Sequence, residues 1–344
     1  MTTRTPLWKK ALLSAVSLGV TVGLLEGGAR AWDYAQYGTV RVEGQPVGLY
    51  IRDGNPEPRL QPNAHLNGLA YSISVNSRGQ RDPERAVPKP RGTVRVWCVG
   101  GSTTFDIYAS DNHHTWPAVA EKRLSELLPG GHVELINGGV PGDILEGSGK
   151  KLAAHGRTLG VDYVLIYHGA NDIRAVSGGH FAVHAGPRLP FRSLDLLRDW
   201  AVARGMGTGS LPDRAPTRDD RRRLENRLRF LERQVHALNA TPIYATHAAR
   251  MSPDSSGADL RMQAGELPAQ LQMSPASARQ WYDLWNELMT TRARSVSSPL
   301  VDVRAAVGSD RALWGDATHF SDAGAEVAGA AVAEALAPYL SSPH

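Results

Sequence analysis

Val96–Asp106 reads VWCVGGSTTFD: an apolar run, Val96-Trp97-Cys98-Val99, stops at Gly100-Gly101, and a serine follows. A short apolar run without alternation suits a strand buried on both faces, as in a parallel sheet. Its end has three readings: a phosphate-binding turn, an ordinary tight loop, or a turn that presents Ser102 as a nucleophile. The rest of the chain decides among them.

From Val94 onward the pattern alternates between short apolar runs and amphipathic stretches. Strands are expected at Val94–Val99, His132–Ile136, Asp162–His168, Thr241–His247 and Pro299–Val303. Helices are expected at Trp116–Leu128, Leu145–Leu159, Arg218–Leu238, Ser277–Arg292 and Ala323–Leu340. Such alternation predicts an α/β domain, three layers α/β/α around a five-stranded parallel sheet. Sites in such sheets lie at the carboxyl ends of the strands. Inserts at about 174–217 and 248–276 break the rhythm and are too long for plain connections. Before Val94, residues 38–93 are rich in Gly, Pro and Asn and hold short alternating pieces such as Tyr71–Val75, a small β-rich lead-in. The division expected is therefore 1–37, 38–93 and 94–344.

Residues 1–37 are set apart by charge. Arg4, Lys9 and Lys10 precede an uncharged run from Ala11 to Leu25 that ends at Glu26. Cations followed by an apolar run predict a signal-anchor or a cleaved secretory signal, with the body of the chain on the periplasmic or extracellular side. Ala29-Arg30-Ala31 offers a small-residue cleavage site. The chain's 344 residues carry a net charge of only +4, and its densest basic run, Arg218–Arg229, is interleaved with acids. A solvated helix face explains that run, so no nucleic-acid partner is expected. The single cysteine, Cys98, reads as a buried thiol and excludes an intrachain disulfide.

Four clusters fall just after strands: Gly100-Gly101-Ser102, Asn137–Asp143 (NGGVPGD), His168–Asp172 (HGAND) and Asp316–Asp322 (DATHFSD). A serine hydroxyl attacks only when a base takes its proton. His319 can serve as that base, and Asp316 can orient its other ring nitrogen. The backbone N–H groups of Ser102 and Gly142 and the side-chain amide of Asn171 can hold a developing oxyanion, each worth about 3–4 kcal/mol to the transition state. Thr103 and His168 are candidate pocket residues. Each cluster alone also fits a structural turn; their order along one sheet favours chemistry. A dinucleotide fingerprint lacks its third glycine, a P-loop lacks Gly-Lys-Ser/Thr, and a Gly-x-Ser-x-Gly elbow fails at Thr104. His113-His114 has no partner cluster with metal-ligand spacing, and Trp281, Tyr282 and Trp285 read as core.

In that order the four clusters resemble the SGNH (GDSL-type) hydrolase superfamily, specifically a bacterial subgroup with an N-terminal apolar segment and a Gly-Gly-Ser first block. The resemblance spans about Val94 to Pro338 and implies a flavodoxin-like fold. It places Ser102 as nucleophile, Gly142 and Asn171 as oxyanion residues, and Asp316 and His319 as the rest of the triad. Two positions depart from the family's pattern: Gly101 stands where an Asp usually precedes the serine, and Phe320 where Pro or Leu often follows the histidine. The expected activity is that of a serine esterase needing no cofactor and no metal, acting on an ester-bearing small molecule, lipid or glycan. The alternatives are an O-acyltransferase with the same triad, which passes the acyl group to a polysaccharide hydroxyl, and a catalytically inactive envelope binding protein.

Overall fold

The chain opens with one long helix, α1 (Leu7–Tyr37), followed by two small hairpins, β1 (Arg41–Val42) with β2 (Gln45–Pro46) and β3 (His65–Asn67) with β4 (Ser72–Ser74). The computed structural model describes residues 6–42, 45–178, 191–203, 212–250 and 273–341. Most of the two expected inserts, namely 179–190, 204–211 and 251–272, lies outside the described residues. The lead-in holds less strand than its alternation suggests. Its strands are two or three residues long, and the rest of its described residues is loop around Leu49, Leu60, Leu66, Ile73 and Val75. These side chains pack on Phe105 and Val140, which fastens the lead-in to the larger domain.

That domain is built on β5 (Thr93–Gly100), β6 (His132–Asn137), β7 (Tyr163–Tyr167), β8 (Thr241–Ala245) and β9 (Leu300–Val301). They form one five-stranded sheet in the order β6-β5-β7-β8-β9, and every pairing is parallel. The strand order reverses between β5 and β7, where ligand crevices open in sheets of this kind. Along β5 the side chains alternate between two cores. Trp97 and Val99 face α4 (Leu145–Leu159), α5 (Ala170–Ser177), α7 (Arg218–Ala237) and α8 (Pro275–Ser295). Val96 and Cys98 face α3 (Trp116–Leu127), α9 (Val303–Val307) and α10 (Asp322–Leu340). Among the described residues the remaining α-helices are α2 (Ser102–Phe105) and α6 (Arg192–Ala203). Burial on both faces accounts for a strand with one charged residue. That residue, Arg95, is fully buried, yet its Nε lies 2.6 Å from Glu134 Oε2 and its Nη2 3.1 Å from the Ala86 carbonyl.

The Ala-rich character of α10 has a packing cause. A Cβ at Gly329 would lie 2.6 Å from Val119 Cγ1 and 2.8 Å from the Trp116 carbonyl, so the backbones of α3 and α10 approach too closely for larger residues. Trp281, Tyr282 and Trp285 are all core, as their spacing suggested. Cys98 is fully buried, and burial pushes its thiol well above the ordinary range. His113 and His114 are exposed, and His114 Nδ1 meets Asp111 Oδ1 at 2.8 Å.

Arg81 of the lead-in locks the loop that follows α2. Its guanidinium is buried and donates to the carbonyls of Phe105 (3.3 Å), Asp106 (2.6 Å) and Ala109 (3.1 Å), and to Asn112 Oδ1 (3.1 Å). The cation also lies over the Phe105 ring at 5.0 Å. Removing it takes this donor from three carbonyls and the nearby positive charge from the buried Asp106 carboxyl. Arg81→Ala is therefore expected to lower stability by about 3–5 kcal/mol, read from urea unfolding of the variant against the parent.

Candidate active site

The two glycines after β5 are there because nothing larger fits. A Cβ at Gly100 would lie 2.4 Å from the Tyr167 carbonyl and 2.0 Å from Thr104 Oγ1. One at Gly101 would lie 2.5 Å from Asn171 Nδ2. The strand thus ends where its backbone presses against the end of β7, and α2 begins at once with Ser102. This close approach accounts for the departure at position 101: on this backbone an acidic side chain would displace the Asn171 amide.

Ser102 Oγ lies 2.7 Å from His319 Nε2, across 217 positions of sequence, and His319 Nδ1 lies 2.7 Å from Asp316 Oδ2. Asp316 Oδ1 accepts from the backbone N–H groups of Thr318 (2.8 Å) and His319 (2.9 Å), which fixes the carboxylate plane. Burial works to raise the Asp316 pKa, but the adjacent His319 and these donors outweigh it and hold it below the ordinary range. The loop closes on itself through a bridge between Trp314 and Phe320, whose rings are 5.2 Å apart. Phe320 is buried near Tyr167, so the departure at that position serves as the loop's anchor. Tyr108, half exposed, stands 5.8 Å from the imidazole ring.

Three donors border the same cavity. Among the described residues the N–H groups of Ser102 and Gly142 have no hydrogen-bond acceptor. Gly142 takes φ +86°, a left-handed conformation that favours glycine. Asn171 Nδ2 gives one hydrogen to the Asp143 carbonyl (2.9 Å), leaving the other for a ligand. Its Oδ1 accepts from Arg174 Nη2 at 2.6 Å, which sets the amide's direction and draws electrons away from its N–H groups. Sequence reasoning missed Arg174. It lies one turn after Asn171 with its guanidinium largely buried, and a cation three positions after a suspected oxyanion amide was the available signal.

Ser102, Thr103, Gly142, Asn171 and His319 border one cavity of about 890 Å³. Its far wall comes from α1 and the lead-in: Tyr37, Tyr50, Arg52, Asn55 and Tyr71 face the serine's side of the domain. Thr103 Oγ1 reaches only 3.5 Å from His247 Nε2. His247 is buried, stacked on Tyr167 at 5.0 Å, and burial pulls its pKa down to about 3, so it is a neutral ring. His168, the other candidate pocket residue, borders the cavity with its ring 1% exposed and turned inward, Nδ1 3.0 Å from Asp172 Oδ2 and Nε2 3.0 Å from Ser148 Oγ. Among the described residues no cluster of three or more His, Cys, Asp or Glu side chains could hold a metal ion.

A family model for GDSL-like lipases and acylhydrolases matches residues 98–327. No curated protein matches the chain. Solved structures with a similar fold include a lipase/acylhydrolase from Enterococcus faecalis, 19% identical over 72% of this chain and 96% of that one, with a TM-score of 0.45. An esterase from Pseudoalteromonas is 13% identical over 72% and 99%, with a TM-score of 0.43. An acetyl xylan esterase is 16% identical over 71% and 100%, with a TM-score of 0.45.

The contact between positions 101 and 171 gives a direct test. Gly101→Ala should move the Asn171 amide while leaving the core untouched. The expected result is a fall of at least about tenfold in turnover of p-nitrophenyl acetate, since loss of one such donor costs 10²–10³ elsewhere, with an unchanged melting temperature.

Proposed function

The chain belongs to the GDSL-like lipase/acylhydrolase family, and from that premise we propose that it is a serine esterase working through an acyl-enzyme on Ser102. The observation that carries this reading is the 2.7 Å approach of Ser102 Oγ to His319 Nε2, backed by the 2.7 Å contact of His319 with Asp316. In the first half-reaction Ser102 Oγ attacks the ester carbonyl and His319 Nε2 takes its proton. Asp316 holds Nδ1–H and stabilises the imidazolium. The carbonyl oxygen becomes an oxyanion facing Ser102 N–H, Gly142 N–H and the second hydrogen of Asn171 Nδ2. His319 then returns the proton to the departing alkoxide. In the second half, water loses its proton to His319, attacks the acyl carbon, and releases Ser102.

The cavity supports an ester with a bulky, polar alcohol part, such as an O-acylated glycan or a lipid headgroup. Its volume is far larger than a short acyl group needs, and its far wall sets tyrosines, Arg52, Asp53 and Asn55 beside aliphatic side chains such as Leu49, Ile51 and Ile73. The three-part division belongs to the same reading: residues 94–344 carry the chemistry, 38–93 wall the cavity, and 1–37 anchor the protein.

α1 supports a retained anchor rather than a cleaved signal. Residues 6–25 are all exposed, and Leu7–Leu25 gives about 28 Å of helix if Lys9 and Lys10 snorkel, near the ~30 Å of a bilayer core. The second half is built into the fold. Asp33 is fully buried in a two-bond pair with Arg192 (2.7 and 3.0 Å). Glu26 accepts from the backbone N–H groups of Arg192 and Ser193, both at 3.0 Å, which caps α6. Cleavage after Ala31 would discard that cap. With Arg4, Lys9 and Lys10 at the cytoplasmic end, the enzyme domain stands on the opposite side of the membrane.

A fluorophosphonate probe should label the parent protein and fail to label Ser102→Ala. Asp316→Asn, which leaves the imidazole in the wrong tautomer, should lower kcat by about 10⁴ on p-nitrophenyl acetate. Running the same assay with an oligosaccharide acceptor separates hydrolysis from transfer: transfer products exceeding free acid would replace the esterase reading with the acyltransferase one. The mature protein should sediment with membranes and keep its N-terminal residues by intact mass. A soluble species beginning at Trp32 would refute the anchor.

A further inference from the structure

A second Ser–His–Asp arrangement lies beneath the cavity. His168 Nδ1 is 3.0 Å from Asp172 Oδ2, and His168 Nε2 is 3.0 Å from Ser148 Oγ. The distances resemble those of the first triad, yet this one cannot meet substrate. Ser148 and His168 are 1% exposed and Asp172 is fully buried. The Ser148 hydroxyl also spends its proton on Asp143 Oδ2, 2.7 Å away.

Where the cluster's ends attach is informative. Asp143 follows Gly142 directly, its carbonyl accepts from Asn171 Nδ2 (2.9 Å), and its carboxylate pairs with Lys151 Nζ at 2.8 Å. Asp172 follows Asn171 directly, and its Oδ1 accepts the Leu145 N–H at 2.9 Å, at the start of α4. The His168 carbonyl accepts from Trp285 Nε1 at 2.7 Å, tying the cluster to α8. Gly147 leaves room for it, since a Cβ there would lie 2.0 Å from Asp143 Oδ1. The loop after β6 and the start of α5 are thus joined through buried side chains, of which only His168 touches the edge of the cavity.

Resting on the esterase reading above, we propose that His168 is a positioning residue: with Ser148 and the two aspartates it holds Gly142 N–H and the Asn171 amide at one fixed spacing beneath the oxyanion. Two of the three donors come from separate connections of the sheet, and each sits next to a carboxylate of this cluster. The oxyanion forms only during reaction, so loosening the spacing affects the transition state more than the bound ester.

The experiment compares Ser148→Ala, His168→Ala and His168→Asn in the full-length chain in detergent. The asparagine can still donate to Asp172 from near the Nδ1 position. Ser148→Ala and His168→Ala are expected to lower kcat on p-nitrophenyl acetate by about ten- to a hundredfold with KM within about threefold. His168→Asn should recover part of that loss. Fluorophosphonate labelling should slow in parallel, because its tetrahedral adduct uses the same donors. In amide NMR spectra the signals of Gly142 and the Asn171 side chain should shift in the two alanine variants while those of Asp316 and His319 stay in place. Unchanged kcat, or unmoved Gly142 and Asn171 signals, would overturn the proposal. A fall in kcat matched by an equal fall in folded fraction would also overturn it, by making the role merely structural. If the parent turns over no ester while the NMR coupling persists, the esterase reading fails and the positioning role stands.

Discussion

The register between β5 and β7 is the constraint on which the rest of the site depends. Gly100 stands opposite Tyr167, and Thr104 Oγ1 donates to the Tyr167 carbonyl at 3.1 Å. That pairing sets Ser102 and Asn171 side by side on the two connections that leave the sheet at its point of reversal. A slip of one residue would turn every β5 side chain to the opposite core and move the serine away from the amide. The alternating cores resist such a slip: Trp97 and Val99 on one face, and Val96 and Cys98 on the other, are all buried.

Around this register four aspartates do different work, and their surroundings decide which. Asp316 faces an imidazole and two N–H groups and stays ionised. Asp172 and Asp143 accept hydrogen bonds from inside the fold and hold connections together. Asp106, fully buried in a left-handed conformation after α2, is pushed up to about 7 by burial, against the pull of the Trp116 N–H and Arg81. Only the first faces a group that also meets the serine. The carboxylate's neighbours, not its residue type, separate chemistry from architecture.

Much of this was legible in the sequence, for physical reasons. Strands buried on both faces are unbroken apolar runs, so β5 and β7 stood out. A serine, an amide and an Asp-x-x-His each followed a strand, so the residues proposed for the triad and the oxyanion site could be named as candidates. Ser148 could not, because a buried polar side chain on a helix leaves no periodic trace and its partner His168 lies 20 positions away along the chain. Position after β7 put His168 at the cavity, where it lies, but its contacts with Asp172 and Ser148, which turn the ring inward, left no mark in the sequence. The lead-in read as a small β-rich segment, and its part in the cavity was not legible, because its tyrosines reach the cavity through Leu49, Leu60 and Ile73 packing on the distant Phe105.

The cap that Glu26 places on α6 and the Asp33–Arg192 pair have a mechanical consequence. α1 runs without a break from Leu7 to Tyr37, and its last residues accept hydrogen bonds from Leu69 and Ala70 at Ala35 and Gln36. Tyr37, which borders the cavity, lies about 17 Å along the axis beyond Glu26. The segment therefore behaves as a strut and not as a string. Whatever grips its first turns also dictates the height and the heading of the mouth through which esters must enter.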